Sequence, residues 1–342
     1  MTVERIKIGV VGLHFGRHVT EEDILGEKGS PYFELAAVCD RIHEKADEWA
    51  ERFGVKAYYD IDKLIADPEI PVIGLFIGPV GRAKWIRKII RSGKDVMTTK
   101  PFELDPEMAL EVLREAEELG RTVHLNSPSP LLAPEMRQIS TWIAECGLGQ
   151  PVACRADVWA SYREEPDGTW YDDPDQCPVA PIFRLGIYVI SDIVRFFGEP
   201  EAVQVTASRV FTKRPTADNA QLNVLFKNGA IASIFASFCV GDQEPYKNVL
   251  SMNFENGSVY RNVGPRTEAD SEMSVVYVEN GEKKVERAQF DGHSGEYQWD
   301  ALYRAVKGEK LEERMAPEEI AAGGKILRAM RKAELSGKLE KV

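Results

Sequence analysis

The chain has 342 residues, 44% of them hydrophobic, which is enough apolar sequence for two cores. Forty-three basic residues against 55 acidic ones leave a net charge of −12, with no basic run longer than two residues, and this disfavours nucleic acid and anionic membrane as partners. No stretch reaches the roughly 20 apolar residues of a membrane span, and the first strand starts too early for an export leader, so a cytoplasmic protein is expected.

The first element is an apolar, β-branched run, Ile6-Lys7-Ile8-Gly9-Val10-Val11, followed by the turn Gly12-Leu13-His14-Phe15-Gly16-Arg17. A strand that stops at a glycine-bearing turn and re-emerges as a helix is how a dinucleotide-binding βαβ unit begins. The glycine pattern is altered here. His14 takes the second glycine position, Gly16 comes one residue early and Arg17 stands in the sixth place. The His14 side chain either clashes with a pyrophosphate or turns outward to hydrogen-bond it. Arg17 either adds phosphate-binding charge or is an ordinary exposed helix residue.

Helical sequence continues to about residue 27, and a strand over 33–39 ends on Asp40. An acidic residue at that tip can accept from an adenosine ribose and can also cap the helix predicted over 44–53, since a cap needs only one carboxylate oxygen. Strands over 57–59, 72–77, 95–98 and 122–125 alternate with helical segments over 62–66, 82–91 and 107–119. The alternation predicts a doubly wound parallel sheet over 1–125, with ligands at the carboxyl ends of its strands.

A Pro/Ser linker, Asn126-Ser127-Pro128-Ser129-Pro130, opens a second domain expected over 126–342. Its predicted elements are a helix over 134–146, a strand over 151–160, a polar loop over 161–178 and a long helix over 180–197. Strands follow over 203–208, 220–226, 231–238, 248–255, 258–262, 274–278 and 284–287, and helices over 294–307 and 317–336 close the chain. Asn228-Gly229, Asn256-Gly257 and Asn280-Gly281 are hairpin signals, so these strands should form an antiparallel sheet. Five cysteines without C-x-x-C spacing fit reduced thiols, and His18, His43, His124 and His293 lack ligand spacing, so no metal site is expected.

Over nearly its whole length the chain resembles the Gfo/Idh/MocA family of oxidoreductases. The likeness rests on the Gly12 turn, Ala37-Val38-Cys39-Asp40, Lys63-Leu64-Ile65-Ala66-Asp67-Pro68, Ile77-Gly78-Pro79, Ser92-Gly93-Lys94-Asp95-Val96 and Lys100-Pro101-Phe102. Leu185-Gly186-Ile187-Tyr188 and Arg195-Phe196-Phe197-Gly198-Glu199-Pro200 extend it into the second domain. The resemblance implies a Rossmann domain followed by an α+β domain with a large, open, mostly antiparallel sheet. It implies NAD, with Gly12, His14, Phe15, Gly16, Arg17, Asp40, Arg41, Gly78, Pro79, Lys100 and Pro101 at the cofactor. Asp40 would repel a 2′-phosphate, whereas Arg41 keeps NADP open.

By the same resemblance Lys100 contacts the reacting hydroxyl and the nicotinamide ribose, and Tyr188 is the acid/base. A lysine beside a phenol would lower the pKa of an alcohol and carry its proton. The plainer readings are a solvated strand-end lysine and a partly buried helix tyrosine. Position 99, usually Glu, is Thr99, the usual Asp of the second-domain helix is Arg184, and Arg82 stands about where many members carry a His.

Arg184, Tyr188 and Asp192 fall on one helix face. Arg184 either binds an acidic group on the substrate or pairs with Asp192 or the acidic loop. Asn126 is a candidate pocket residue or a turn former, and Trp170, in a loop with Trp159, Tyr171, Asp172 and Asp173 on or near it, is a candidate sugar contact. The expected activity is hydride transfer between a nicotinamide and a sugar, cyclitol or related polyol, an acidic one included. The alternatives are sugar hydrolysis or elimination with transient redox, and a non-catalytic binding protein. A homodimer or homotetramer through the second-domain sheet is the implied assembly.

Overall fold

The computed structural model describes residues 4–242, 246–265, 269–312 and 314–342. The chain divides into two compact units, one formed by residues 1–131 with 296–317 and the other by 132–295 with 318–342. No described helix is long and apolar enough to cross a membrane.

The first unit alternates β1 (Ile6–Val11), α1 (Phe15–Val19), β2 (Phe33–Cys39), α2 (His43–Phe53), β3 (Lys56–Tyr58), α3 (Ile61–Ile65), β4 (Val72–Leu75), α4 (Arg82–Arg91), β5 (Asp95–Thr98), α5 (Pro106–Glu118) and β6 (Val123–Leu125). Ile8, Val10, Val72, Ile73 and Leu75 are wholly buried. Strands that are apolar on both faces need cover on both, which is the situation of a parallel sheet between helix layers. All ladders are parallel, in the order β3-β2-β1-β4-β5-β6. The strand order reverses between β1 and β4, and in such sheets ligands bind at the carboxyl ends beside that switch point.

Two departures from the sequence expectation lie at this edge. The helix after the glycine turn stops at Val19 and continues as a π-helical turn, Thr20–Ile24, where Thr20 Oγ1 donates to the Gly16 carbonyl at 2.8 Å. Strand β4 ends at Leu75, two residues early, although the Phe76 N–H still donates to the Val11 carbonyl at 2.9 Å.

The boundary expected at 125/126 also needs correction, because the chain returns to the first unit as the helix Trp299–Val306. Trp299 and Leu302 enter the same core as Ile8, Val10, Phe33 and Phe76, with the Trp299 ring edge-on to Phe33 at 5.6 Å.

The second unit contains α6 (Pro134–Glu145), β7 (Pro151–Trp159), α7 (Ile187–Phe197), β8 (Pro200–Ser208), β9 (Asn219–Phe226), β10 (Ile231–Ser237), β11 (Lys247–Phe254), β12 (Gly257–Arg261), β13 (Ser271–Glu279) and β14 (Glu282–Phe290). The helix Pro317–Ser336 and β15 (Glu340–Lys341) complete it. The sheet runs β14-β13-β12-β11-β7-β10-β9-β8-β15 and is antiparallel except between β7 and β10. Strands β13 and β14 are longer than expected and join through Asn280 and Gly281, both at positive φ, as a two-residue hairpin requires.

Along β10 the residues Ala232, Ile234 and Ala236 are buried, whereas Ile231 is 57% exposed. The opposite face is polar in part, with Gln221 donating to Ser233 and Ser233 to Asn223 across β9 and β10. The long helix expected over 180–197 is split: Ile182–Gly186 winds as a π-helical turn and α7 follows.

Candidate active site

In the first unit the glycine turn is dictated by backbone geometry. Gly12 has φ +88°, and a Cβ there would lie 2.8 Å from the Phe76 carbonyl oxygen, so both conformation and packing require glycine. A Cβ on Gly16 would come within 3.1 Å of the Phe76 ring, an ordinary helix position made tight by one aromatic. His14 has a right-handed backbone, φ −79°, so replacing the fingerprint glycine here carries no strain. Its side chain is exposed, as are those of Phe15 and Arg17.

Two helix N-termini near this edge differ in how their N–H groups are used. At α4 the Glu103 carboxylate accepts from the N–H of Gly81 at 3.2 Å and of Ala83 at 2.9 Å. At α1 no side chain caps the terminus and the first turn holds no acidic residue. A helix start without a side-chain cap suits a pyrophosphate. Asp40 accepts from the Leu13 N–H at 2.9 Å through one oxygen and from the Ile42 N–H at 3.1 Å through the other. It ties the tip of β2 to the glycine turn, and each oxygen retains capacity for a ribose hydroxyl. The residue at the α2 N-cap is Ile42, so the capping role weighed for Asp40 is not the one it takes. Arg41 is exposed beside it. These residues fit a dinucleotide.

Lys100 is half-buried in the loop that leaves β5. Its N–H donates to Asn126 Oδ1 at 3.0 Å, and Thr99 Oγ1 donates to the same oxygen at 3.3 Å. Asn126 is 3% exposed, so its side chain serves the Lys100 loop. From the other side, Arg82 donates to the carbonyls of Ile77, Thr99, Pro101 and Phe102. Gly78 and Pro79 follow Ile77 and are thereby joined to the same clamp. The Arg82 guanidinium is fully buried, which pushes its pKa down to about 10. In the sequence Arg82 stands out only as a departure from the family pattern. On β6, burial drives His124 down to about 3, so its imidazole is neutral.

In the second unit Arg184 makes a two-point contact with Glu164, at 2.6 and 2.8 Å. Its guanidinium lies 4.0 Å from the centroid of the Tyr171 ring, 4.7 Å from Phe238 and 5.4 Å from Tyr162. Burial pushes the Glu164 carboxyl up, and the hydrogen bond and charge of Arg184 outweigh it, leaving the carboxyl below its ordinary value. Of the partners considered from sequence, the acidic loop is therefore the one Arg184 takes. Arg214 holds the same loop through Asp167 at 3.1 Å and Asp172 at 2.5 Å. Trp170 is half-buried beside Tyr171 and edge-on to Phe183.

Tyr188, in the first turn of α7, is half-buried and packs edge-on to Tyr246 at 6.1 Å. The backbone of Gly295 lies against its ring so closely that a Cβ would come within 2.6 Å. Asp192 is buried and accepts from Arg261 Nη1 at 3.1 Å and Ser294 Oγ at 2.9 Å. Its expected place on a substrate-facing stripe with Arg184 and Tyr188 gives way to this interior pairing. Arg261 also donates to Asn248 at 2.8 Å and lies 3.9 Å from Glu135, whose carboxyl burial pushes up to about 7. Among the described residues no His/Cys/Asp/Glu group could hold a metal ion.

Residues 6–127 match the family described as "Oxidoreductase family, NAD-binding Rossmann fold", and residues 136–260 match the "GFO/IDH/MocA C-terminal domain". The chain belongs to the Gfo/Idh/MocA family. It is 25% identical over 193 residues to a dTDP-3,4-didehydro-2,6-dideoxy-alpha-D-glucose 3-reductase of Actinomadura kijaniata, covering 56% of each chain. It is 25% identical over 150 residues to an inositol 2-dehydrogenase/D-chiro-inositol 3-dehydrogenase of Lactiplantibacillus plantarum, covering 43% of this chain and 42% of that one. The chain thus spans about half the length of these curated relatives. Levoglucosan dehydrogenase in complex with NADH and L-sorbose superposes with a TM-score of 0.76 over 99% of both chains at 16% identity, a likeness of fold.

Proposed function

We propose that the protein transfers a hydride between a nicotinamide cofactor and a hydroxyl-bearing carbon of a neutral sugar, cyclitol or related polyol. The observation that supports this reading best is the clamped Lys100 loop, fixed by Asn126 and Arg82 at the carboxyl edge of a Rossmann sheet whose α1 N-terminus carries no side-chain cap. The names of the curated relatives, which act on sugars and inositols, support the substrate class.

In this reading the turn 12–17 holds the pyrophosphate, with His14 and Arg17 beside it and Phe15 lining it. Asp40 accepts from the adenosine ribose, which favours NAD, and Arg41 is the group through which NADP would be accommodated. Gly78, Pro79 and Pro101 shape the nicotinamide end. The bound nicotinamide supplies the hydride acceptor or donor. Lys100 holds a positive charge at the substrate oxygen and lowers the cost of an alkoxide there. Tyr188 is the acid/base: its phenol gives up a proton during reduction and, as phenolate, takes one back during oxidation. Because Glu164 already occupies the Arg184 fork, a substrate carboxylate would have to displace it, and this favours neutral substrates.

We further propose that the open face of the nine-stranded sheet, with Ile231 and Phe235, joins subunits into a homodimer or homotetramer.

Fluorescence titration with NADH and NADPH, followed by a polyol and ketose panel, tests the reading. Lys100→Met and Tyr188→Phe should each lower kcat on the order of 100-fold or more while leaving NADH binding within a few fold. Product formed from a sugar with no net change in cofactor redox state would point instead to transient redox chemistry. Absence of cofactor binding would point to a non-catalytic protein.

A further inference from the structure

Arg82 is 1% exposed, yet no carboxylate pairs with it among the described residues. The nearby Glu103 is engaged by the N–H groups of Gly81, Ala83 and Leu104. All of the Arg82 hydrogen bonds go to main-chain carbonyls: Nη1 to Thr99, Pro101 and Phe102, and Nη2 to Ile77. Its Nε has no partner among the described residues. Burying a guanidinium without a counter-ion is costly, and a neutral side chain of similar length would fill the same volume at lower cost. What only the guanidinium supplies is a planar fork of donors that reaches two chain segments at once.

Those two segments are the exits of β4 and β5. The first carries Ile77 into Gly78 and Pro79, and the second carries Lys100 between two of the carbonyls that Arg82 holds. The Lys100 N–H is fixed from the far side by Asn126. Its flanking carbonyls, on Thr99 and Pro101, are both held by Arg82 Nη1, so the main chain on both sides of the lysine is pinned to one buried atom.

We propose that Arg82 is a positioning residue for Lys100: it locks the 99–102 loop to the β4 exit and so sets where the lysine ammonium stands above the sheet edge. The inference rests on the catalytic role proposed for Lys100. Arg82 itself touches neither substrate nor cofactor. A lysine at position 82 would keep the charge but present its donors from a single nitrogen, and a methionine would keep the stem and lose every donor.

The test uses the full-length protein with Arg82→Met, Arg82→Lys, Lys100→Met and the Arg82→Met/Lys100→Met double variant. The first readout is hydrogen–deuterium exchange of the cofactor-free protein. The amides of Thr99, Lys100 and Phe102 should exchange about tenfold faster or more in Arg82→Met, with the amides of β1 and β5 unchanged. The second is the mutant cycle on kcat. Arg82→Met should lower kcat on the order of 100-fold in the native background and by almost nothing once Lys100 is gone, with Arg82→Lys intermediate.

Unchanged exchange at 99–102, or an Arg82→Met effect of the same size with and without Lys100, would overturn the proposal. If Arg82→Met does not fold, Arg82→Lys alone carries both readouts. Loss of loop protection in a protein that turns over no polyol would leave the Arg82 clamp standing and remove the catalytic reading of Lys100.

Discussion

Replacing Gly12 by alanine adds one methyl group at the point where β1, β4 and the glycine turn meet, and its cost follows from the structure. The backbone at Gly12 has φ +88°, where a residue with a Cβ loses about 1–2 kcal/mol. The new Cβ would also stand 2.8 Å from the carbonyl oxygen and 3.0 Å from the carbonyl carbon of Phe76, and main-chain atoms cannot rotate aside. Relief requires the turn to lift. It is held by Gly12 N–H to the Cys39 carbonyl at 3.0 Å, by Gly16 N–H to the Gly12 carbonyl at 3.0 Å, and, just past β4, by Phe76 N–H to the Val11 carbonyl at 2.9 Å. Overpacking of this kind adds roughly 1–3 kcal/mol, for a total of about 2–4 kcal/mol. In a unit of this size that lowers the melting temperature by on the order of 5–15 °C.

Gly54→Ala is the control, since Gly54 has φ +67° and nothing within 4 Å of its Cβ position. It should cost only the conformational part, about 1 kcal/mol. Calorimetric melting of both variants, with NADH titration of each, separates strain from contact. Equal shifts for Gly12→Ala and Gly54→Ala would refute the packing argument, and unchanged NADH affinity in Gly12→Ala would refute the place given to the turn.

Three other consequences are open to measurement. Burial raises the Glu135 carboxyl from an ordinary 4.5 to about 7, so the folded protein holds a proton that the unfolded chain releases. Stability should therefore fall by about 3 kcal/mol as pH rises from 4.5 through 7, and Glu135→Gln should flatten the urea-unfolding profile over that window. Glu164→Ala frees the Arg184 fork and should raise kcat/KM for polyols bearing a carboxylate relative to their neutral analogues, whereas parallel changes for both substrate types would show that Arg184 does not face substrate. Ile231→Glu places a charge on the open sheet face and should lower the oligomeric state seen by light scattering, leaving the melting of each unit unchanged.

The first unit was legible in the sequence because each of its strands is an apolar run set between helical stretches, and the glycine turn and Asp40 mark the switch point. The antiparallel sheet was legible from its Asn-Gly turns. The π-helical turns at Thr20–Ile24 and Ile182–Gly186 were not, since shifting the hydrogen bonds by one residue leaves the apolar periodicity almost intact. The return of Trp299 and Leu302 to the first core was hidden for a related reason: an apolar helix face does not say which core it enters.

At the candidate site, Lys100, Asp40 and Gly12 could be singled out because each stands at a fixed place in the fold. Arg82 could not be placed, because its partners are backbone carbonyls and carry no residue identity. The pairings of Arg184 with Glu164 and of Asp192 with Arg261 join a helix to an irregular loop and to a distant strand, contacts that only the folded chain reveals.

Hydride transfer is tested most directly by following the hydride itself. The protein is incubated with NADH deuterated at C4 and a panel of keto-sugars and inososes, and the products are read by mass spectrometry and NMR. One deuterium is expected on the new carbinol carbon of a sugar or cyclitol, with that transfer lost in Tyr188→Phe and Lys100→Met. NADH that binds tightly while its deuterium reaches no product on the panel would contradict it.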